Sequence, residues 1–382
     1  MRVPRALHGQ TSGDRTRGHR GVEREEHDRR RWTQDQPGRD RPASRTRKGL
    51  TIDAVRRVDV HRHYIPQFLI EEARAGRGID NLKVEGDVVM HRQGYQYPLD
   101  ADFHLLDRII ANLDETNVDH AVLGPTPTLF FYDVDAAAGA EFCARSNDWI
   151  SKQSVESGSR ISGMATVPMQ DPGAAARELR RCVEDLGMRS VELGTDIEGV
   201  PLDDPRYRNF FEVVDELDIL VLLHPYFVGP RPGLEDFYMT NLVGLPFLTA
   251  LAATRLLFSG FFSRHDVRFL LVHGGGFMPY QLGRLDRGYL VREESSAFAD
   301  RRPSESIGKL YYDTLTHSPA ALEFLVDLVG ADHVLFGTDL PFDMTDPSQA
   351  SAIDSLGEAQ AQQVWGGNAI RLLRDARGGS LT

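Results

Sequence analysis

Cysteine is scarce in this sequence, which has two, Cys143 and Cys182, among 382 residues. Because two cysteines cannot build a disulfide framework and no Cys-x-x-Cys motif is present, we expect both to be reduced core thiols of a cytoplasmic protein. The sequence also lacks a run of about 18 uncharged apolar residues. The nearest candidate, residues 244–262, contains Pro246 and Arg255, so it predicts a buried amphipathic helix rather than a membrane span.

Three common enzyme motifs are absent as well. No Gly-x-Ser-x-Gly sequence is present, which argues against a serine hydrolase. The glycines of HGGG (273–276) lack the Lys-Ser/Thr of a phosphate-binding loop and the spacing of a dinucleotide-binding fingerprint. They are better explained by a tight passage from a strand into a helix.

Charge is distributed unevenly along the chain. Residues 1–50 carry 14 basic and 7 acidic residues, net +7, whereas residues 51–382 carry 30 basic and 49 acidic residues, net −19. The first segment has almost no aliphatic residues, so it cannot offset the entropy of ordering, and we expect a disordered basic N-terminal extension. The acidic remainder, 51–382, is long enough for one large domain, and its charge argues against a nucleic acid partner.

From residue 55 onward, short β-rich runs alternate with longer helical patterns, which is typical of βα units and a mostly parallel sheet. Eight such runs are present, at residues 56–63, 119–125, 162–169, 190–195, 219–225, 268–274, 310–314 and 333–339. They predict an α/β protein with a (β/α)₈ TIM barrel, although a doubly wound open sheet has a similar pattern. A small inserted hairpin is expected between the first two strands.

Polar side chains end four of these runs. His61 and His63 end the first, His224 the fifth, His273 the sixth and Asp339 the eighth. In a barrel, the carboxyl ends of all strands surround one mouth, so these five side chains would converge there. Histidine is a common metal ligand and a proton carrier at neutral pH, so the set suits a metal ion with a general base.

Each of these residues alone has a simpler interpretation. The two histidines of the first run share one face of a strand and could meet only water, His224 could be a core histidine, and Asp339 could cap a helix. The accidental placement of all five residues at strand ends is improbable, so the set favours a functional site. Asp59 is in phase with His61 and His63 and is expected to support them rather than to bind metal.

Five motifs occur in a recognisable order: DVHRHYIP (59–66), LLHPY (222–226), VHGGGFMPYQLGR (272–284), LFGTDLPF (335–342) and GGNAIRLL (366–373). Together they resemble the metal-dependent amidohydrolase-like superfamily, and within it the branch typified by alpha-amino-beta-carboxymuconate-epsilon-semialdehyde decarboxylase. The resemblance runs from about residue 55 to residue 373. It implies a (β/α)₈ barrel that holds one divalent ion, usually zinc.

The same resemblance implies a role for each strand-end residue. The metal ligands would be His61, His63, His224 and Asp339, with Asp339 also part of the catalytic pair, and His273 would be the catalytic base.

The run SVELGT (190–195) bears on the number of ions. Members of the superfamily with two metal ions use a strand-four lysine, which this run lacks. One ion is therefore expected. Glu192, the only ionisable side chain of the run, is interpreted as a buried, hydrogen-bonded carboxylate, with support of a ligand histidine as the alternative.

The resemblance also implies a substrate pocket. In the decarboxylase branch two arginines hold the substrate carboxylates, and one of them comes from the neighbouring subunit. Arg284 matches that second position, which implies a homodimer, and Arg92 is the candidate substitute for the first, where this chain has Met90. Tyr226 and Phe342 match aromatic positions of the pocket.

The activity implied is zinc-dependent, redox-free loss of CO₂ from a small unsaturated or aromatic carboxylate, with no nucleic acid or membrane partner. Fold and metal are shared across the superfamily, so two alternatives stay open. One is a hydrolase or hydratase that acts on an amide, a lactone or a carbon–carbon bond. The other is a catalytically inactive barrel that acts as a binding protein.

Overall fold

The structure is a computed structural model that describes residues 57–226 and 231–374. The basic extension predicted for residues 1–50 lies outside the described residues. Eight strands form the centre of the described part, and we number them in chain order. They are β1 (Val58–Tyr64), β2 (His120–Pro125), β3 (Ile161–Gly163), β4 (Ser190–Gly194), β5 (Leu220–His224), β6 (Arg268–Leu271), β7 (Leu310–Asp313) and β8 (Val334–Leu335).

The eight parallel strands close into a ring. Strands β1 to β3 form one sheet and β4 to β8 form a second, each in sequence order. A parallel bridge between Ala165 and Val191 joins the sheets on one side, and a bridge between Arg62 and Leu340 joins them on the other. At this second junction the N–H of His63 donates to the carbonyl of Leu340 at 2.9 Å. The predicted (β/α)₈ barrel is confirmed, and the open sheet is excluded.

Side chains of the barrel strands alternate between an inner and an outer core. In β5, Leu220 and Leu222 pack inside the ring, whereas Val221 and Leu223 pack against the surrounding helices. His224 continues the inward-facing series at the carboxyl end of this strand, because successive residues of a strand point to opposite faces.

Strand β1 breaks this alternation. Its register against β2 shifts between Asp59 and Arg62, which is a β-bulge with one extra residue in β1. Val60 therefore joins the inner core while the next residue, His61, also faces the inside of the ring. The prediction that Asp59 is in phase with the two histidines is wrong, and its carboxylate is paired with Arg62 at 3.2 Å.

Helices surround the ring and cover its outer core. The helix Pro172–Glu184 begins after Asp171, whose carboxylate accepts hydrogen bonds from the N–H groups of Gly173 and Ala174, as its Asp-Pro start predicts. The α-helices are Gln67–Arg74, Leu106–Glu115, Ala136–Glu156, Pro172–Glu184, Arg208–Leu217, Leu245–Phe258, Phe261–Arg264, Met278–Val291, Glu293–Ser296, Pro303–Ser306, Pro319–Val329, Gln349–Asp354, Glu358–Gln362 and Asn368–Leu373.

The insertion after β1 is larger than the predicted hairpin. Three short strands, Lys83–Glu85, Val88–Met90 and Gln96–Pro98, pair as an antiparallel sheet. The third strand is held because Tyr97 is buried in a separate apolar cluster with Phe103. The insertion therefore has a small core of its own beside the mouth of the barrel.

The apolar helix Leu245–Phe258 lies between β5 and β6. With the preceding π-helix, Thr240–Gly244, it forms one helical segment, Thr240–Phe258, which is long and apolar enough to cross a membrane by length and composition only. Leu248 and Leu256 are buried against the barrel, but the opposite face of the helix is apolar as well, so the prediction of a buried amphipathic helix is wrong. Phe247 and Leu251 on the same helix are 51% and 44% exposed, so this barrel helix presents an apolar outer face.

Candidate active site

The five strand-end residues predicted to form a metal site lie together. His61 and His63 belong to β1, His224 ends β5, and His273 and Asp339 follow β6 and β8. The ring centroids of the first three histidines are each 5.1 Å apart. The ring of His273 is 5.2 Å from that of His224. Barrel closure therefore brings residues that are remote in sequence into one cluster.

Three of the histidines are held by their outward-facing nitrogen. Nδ1 of His61 lies 2.7 Å from Oδ2 of Asp313. Nδ1 of His63 and Nδ1 of His224 lie 3.2 and 2.6 Å from backbone carbonyl oxygens. Because carbonyl and carboxylate oxygens only accept hydrogen bonds, each Nδ1 carries the proton, and Nε2 of His61 and Nε2 of His224 offer lone pairs to the inside.

The inward-facing atoms are arranged as ligands. Nε2 of His61 and Nε2 of His224 are buried and have no hydrogen-bond partner among the described residues. Oδ1 of Asp339 lies 2.9 Å from Nε2 of His63 and 3.4 Å from Nε2 of His61. Because buried polar atoms without a partner destabilise a fold, this set of nitrogen and oxygen atoms fits a divalent cation.

The cluster contains one more donor than a four-coordinate ion needs. Four residues each offer a ligand atom within 4.8 Å of the others: His61, His224, His273 and Asp339. This group contains His273, the predicted base, in place of the predicted ligand His63. His63, however, is held from outside by a carbonyl and reaches Asp339. Nδ1 of His273 has no hydrogen-bond partner in the part of the chain that the structure describes. His273 is therefore the ring least fixed for metal binding.

Burial and mutual contact set the charges of the cluster. Burial alone would favour a neutral Asp339, but the neighbouring histidines outweigh it and hold the pKa of this carboxyl well below its usual range. Burial and the adjacent rings hold the pKa of His224 well below its usual range, and burial lowers that of His63. For His61, burial lowers the pKa, but three nearby carboxylates, Asp339, Asp313 and Asp59, outweigh it and raise the pKa. A carboxylate anion with neutral imidazoles is the form that binds metal.

Two residues of the cluster have a left-handed backbone. The φ angle is 55° at His273 and 61° at Asp339, a region that residues other than glycine rarely adopt. Buried hydrogen bonds hold both. The N–H of Asp339 donates to the carbonyl of His61 at 2.7 Å, and the N–H of His273 donates to Asp313 at 3.0 Å. Backbone strain that the surroundings enforce is typical of functional sites.

Sequence reasoning missed Asp313, the last residue of β7. Its side chain is fully buried and contacts both His61 and the loop that carries His273. The signal was present in LYYDT, a β-rich run that ends in a carboxylate. Asp59 was expected to support the site, and although its facing differs, its carboxylate accepts from the N–H of His61 at 3.2 Å and from the hydroxyl of Thr338 at 2.6 Å.

Glu192 lies on β4, fully buried beside the cluster. Oε1 is 4.0 Å from Nδ1 of His63, and neither carboxyl oxygen has a hydrogen-bond partner among the described residues. The prediction of a hydrogen-bonded carboxylate is therefore wrong. Burial, followed by the charge of Asp339, raises the pKa of Glu192 well above its usual range. Gly124 makes room for it, because a Cβ atom there would lie 1.8 Å from Oε2 of Glu192.

A cavity of about 940 Å³ opens over the cluster. The predicted aromatic residues Tyr226 and Phe342 line it, and Phe342 packs edge-on against the ring of His63 at 5.4 Å. Further aromatic walls are Tyr95, Tyr97, Phe103, Tyr238, Tyr280 and Phe324. No lysine or arginine among the described residues lines this cavity.

The two arginines predicted to bind substrate lie outside the lining of the cavity. Nε of Arg92 is 2.6 Å from Asp80, and its terminal nitrogen is paired with Asp133. Two carboxylates are thus paired with Arg92 in this chain, and its role as a substrate clamp stays a prediction. Arg284 lies on the helix Met278–Val291 with an exposed side chain, and one chain alone does not bring it to the cluster.

Residues 58–374 match the amidohydrolase family, a match that contains the whole barrel and all five residues of the cluster. The chain belongs to the amidohydrolase family. The resemblance that the five motifs indicated is thereby confirmed, and so is the (β/α)₈ expectation that came with it.

Several relatives of this amidohydrolase are decarboxylases by name. The chain is 32% identical over 269 residues to 2-amino-3-carboxymuconate-6-semialdehyde decarboxylase from Dictyostelium discoideum, which covers 69% of this chain and 75% of that protein. It is 31% identical over 290 residues to gamma-resorcylate decarboxylase from Polaromonas sp. This match covers 70% of this chain and 87% of that protein.

The fold of the amidohydrolase is shared with solved structures. The crystal structure of a dihydroxybenzoic acid decarboxylase from Polaromonas sp. JS666, with bound manganese and the inhibitor 2-nitroresorcinol, matches with a TM-score of 0.64 at 24% identity. The match covers 85% of this chain and 96% of that one. With its nitrogen and oxygen donors turned inward, the cluster described above is a site for a divalent metal.

Proposed function

We propose that this amidohydrolase is a metal-dependent decarboxylase that removes CO₂ from a small aromatic carboxylate without a redox step. The observation that carries the proposal is the cluster itself. Nε2 of His61 and Nε2 of His224 are buried without a hydrogen-bond partner among the described residues, and the cluster opens directly into an aromatic-walled cavity. Relatives named as decarboxylases of carboxymuconate semialdehyde and of resorcylate support the reaction class.

The residues that would hold the metal are His61, His63, His224 and Asp339. Three imidazoles and one carboxylate are a donor set that zinc favours, and we propose zinc as the ion. When bound, the metal supplies positive charge that orients the substrate carboxylate and an adjacent oxygen and stabilises negative charge in the transition state. The bound manganese of the Polaromonas structure makes manganese the alternative to test.

His273 is the residue that we propose moves the proton. Its side chain is 17% exposed towards the cavity, against 0% and 1% for His61 and His63. Among the described residues, Nδ1 of His273 has no hydrogen-bond partner, and imidazole is the side chain that most often carries protons near neutral pH. The imidazolium donates its proton to the ring carbon that bears the carboxylate, the bond from that carbon to the carboxylate breaks, and CO₂ leaves. The products are the neutral arene, which carries the transferred proton in its new C–H bond, and CO₂, and solvent in the cavity reprotonates the neutral His273.

The walls of the cavity favour a substrate with one carboxylate. Within one chain, no arginine or lysine among the described residues lines the cavity to balance a second carboxylate, and the three acids Asp100, Glu235 and Asp343 would outnumber a single Arg284 supplied by a partner. Arg92 is engaged with Asp80 and Asp133. We therefore propose that hydroxybenzoates are better substrates than the dicarboxylate aminocarboxymuconate semialdehyde.

A homodimer is the assembly that we propose. Phe247, Leu251 and Tyr280 are exposed on two adjacent barrel helices, Leu245–Phe258 and Met278–Val291. Exposed apolar side chains at this density favour an interface. Arg284 lies on the second of these helices, so the same interface would carry this arginine towards the partner's cavity.

The experiment is CO₂ release by the purified protein, loaded separately with zinc and with manganese. The substrates are 2,6-dihydroxybenzoate, 5-carboxyvanillate and aminocarboxymuconate semialdehyde, with chelator-treated protein as the control. Metal-dependent CO₂ release supports the decarboxylase. Turnover of amides, lactones or unsaturated acids without CO₂ would establish the hydrolase or hydratase instead, and a protein that retains no stoichiometric metal would point to the inactive barrel.

A further inference from the structure

The carboxylate of Asp313 accepts four hydrogen bonds from three different segments of the barrel. Oδ2 accepts from Nδ1 of His61 at 2.7 Å and from the N–H of His273 at 3.0 Å. Oδ1 accepts from the N–H groups of Gly274 at 2.8 Å and Leu315 at 3.1 Å. Asp313 is completely buried and does not line the cavity. It therefore acts on the site only through the groups that it holds.

The first of these groups is the ring of His61. An ionised carboxylate accepts but cannot donate a hydrogen bond, so it keeps the proton of His61 on Nδ1 and turns the lone pair of Nε2 inward. The outward acceptors of His63 and His224 are backbone carbonyl oxygens. Of the three histidines held through Nδ1, His61 is the one whose acceptor is a charged side chain. The orientation of the His61 ring therefore depends on the residue at position 313.

The second group is the loop that carries His273. His273 and Gly274 both have left-handed φ angles, 55° and 59°, and their consecutive N–H groups converge on the carboxylate. Successive N–H groups arranged in this way form an anion-binding nest. The carboxylate stabilises a backbone conformation that is unfavourable for His273 itself. The direction of the His273 side chain therefore depends on the charge of Asp313.

We propose that Asp313 is a positioning residue that couples the two halves of the active site, fixing the metal ligand His61 and the proton carrier His273 to one buried charge. Its removal then weakens metal binding and proton transfer together, although Asp313 contacts neither the substrate nor the metal. The metal-binding part of this inference is independent of the reaction, and only its kinetic part rests on the proposed decarboxylation.

The test is Asp313→Asn, which keeps the size of the side chain but replaces one acceptor oxygen by an NH₂ donor. Asp119→Asn is the matched control. Asp119 is also a buried carboxylate that accepts a backbone N–H, from Arg57 at 3.1 Å, but it precedes β2 at the opposite end of the barrel. Both variants are compared with the wild type in zinc affinity, measured against a chromophoric chelator, in kcat and KM, and in thermal midpoint.

For Asp313→Asn we expect zinc affinity to fall roughly 10- to 100-fold, the size typical for a lost partner of a metal-binding histidine. We also expect kcat to fall more than KM rises, with a changed pH–rate profile. Asp119→Asn should change the thermal midpoint alone. If Asp313→Asn has wild-type zinc affinity and kcat and differs only in thermal midpoint, the residue is part of the scaffold and the inference is wrong.

A second measurement needs no variant at position 313 and covers the case in which Asp313→Asn does not fold. In the zinc-loaded wild type, nitrogen-15 NMR should show the Nδ1 proton of His61 strongly deshielded and slow to exchange with solvent, assigned by comparison with His61→Asn. An Nδ1 proton that exchanges as fast as that of an exposed imidazole would overturn the proposal.

Discussion

Nε2 of His63 and Oδ1 of Asp339 lie 2.9 Å apart although 276 positions separate them in the sequence. The contact exists because β1 pairs with the segment after β8, where the N–H groups of Thr338 and Asp339 both donate to the carbonyl of His61. Closure of the barrel and assembly of the metal site are therefore the same structural event.

Replacement of His273 distinguishes a proton carrier from a metal ligand. We expect His273→Asn to lower kcat by about 10²- to 10⁴-fold, the range for loss of a general acid or base, while one metal ion per chain is retained. Asparagine is the appropriate substitute because it tolerates the left-handed φ of 55°. The measurement is turnover together with metal content by elemental analysis.

His317→Asn is the matched control, because His317 also lines the cavity, has the same φ of 55° and lies outside the cluster. It should retain most of the activity. His63→Asn should show the opposite pattern from His273→Asn, with loss of metal. Metal loss in His273→Asn and retention in His63→Asn would exchange the roles of the two residues.

The sequence was sufficient to predict the five residues of the cluster, because a polar residue at the end of an apolar run is a local signal. His224 shows this well, since it ends an otherwise apolar strand in regular alternation. The facing of Asp59 could not be predicted, because the bulge in β1 depends on its register against β2. The role of Asp313 depends on a contact with His61 across 252 positions, and no local pattern encodes such a contact.

The contacts of Arg92 could not be predicted from local sequence either. A resemblance placed it near the substrate, but nothing in its own stretch shows that Asp80 and Asp133 would fold against it. Arg284 is exposed in a single chain, so its predicted role remains a prediction until the assembly is measured.

The carboxyl of Glu192 occupies the space that a side chain at position 124 would need. A Cβ atom there would lie 1.8 Å from Oε2 of Glu192, so we expect Gly124→Ala to lower the free energy of unfolding by about 1–3 kcal/mol, the usual cost of overpacking. At Gly308 a Cβ atom would have no other atom within 4 Å, so Gly308→Ala should change the free energy of unfolding by less than about 0.5 kcal/mol. Urea unfolding of the two variants measures the difference.

The clash with Glu192 can be separated from a general backbone effect. In a Glu192→Ala background, Gly124→Ala should cost much less, because the obstructing carboxyl is gone. An equal cost in both backgrounds would show that Glu192 is not the cause.

Arg284 is expected to act on the partner's active site. We expect Arg284→Gln to raise KM for the aromatic carboxylate about tenfold or more, through loss of a charge-assisted hydrogen bond. Arg287→Gln, a substitution on the same helix, is the control and should leave KM unchanged.

A mixture of two impaired variants, assayed well below the KM of the wild type, tests whether the arginine acts across the interface. In a heterodimer of Arg284→Gln and His273→Asn, one site has an intact His273 and an intact Arg284 from the other chain. Random assortment in a twofold dimer then restores about a quarter of the wild-type sites. Absence of recovery after subunit exchange, with dimers present, would rule out action in trans.

The stability of the protein is expected to fall in mild acid because of His120. This histidine is buried in β2, with Nδ1 3.0 Å from a backbone carbonyl and Nε2 2.9 Å from the hydroxyl of Ser162. Burial is the main cause that lowers the pKa of His120 to about 4. Between that value and the unfolded value near 6.5, the unfolded chain binds a proton that the folded chain does not.

These two pKa values determine how the free energy of unfolding changes with pH. Above about pH 6.5 both states have a neutral His120 and it contributes no pH dependence, whereas at pH 5 protonation of the unfolded chain lowers the free energy of unfolding by about 2 kcal/mol. His120→Gln keeps a polar side chain that does not titrate. The change in stability from pH 7 to pH 5 should therefore be about 2 kcal/mol smaller in this variant than in the wild type, as measured by urea unfolding of both proteins. Because the histidines of the metal cluster are the same in both proteins, their titration cancels in the comparison, and equal pH dependence would show that His120 is protonated in the folded protein.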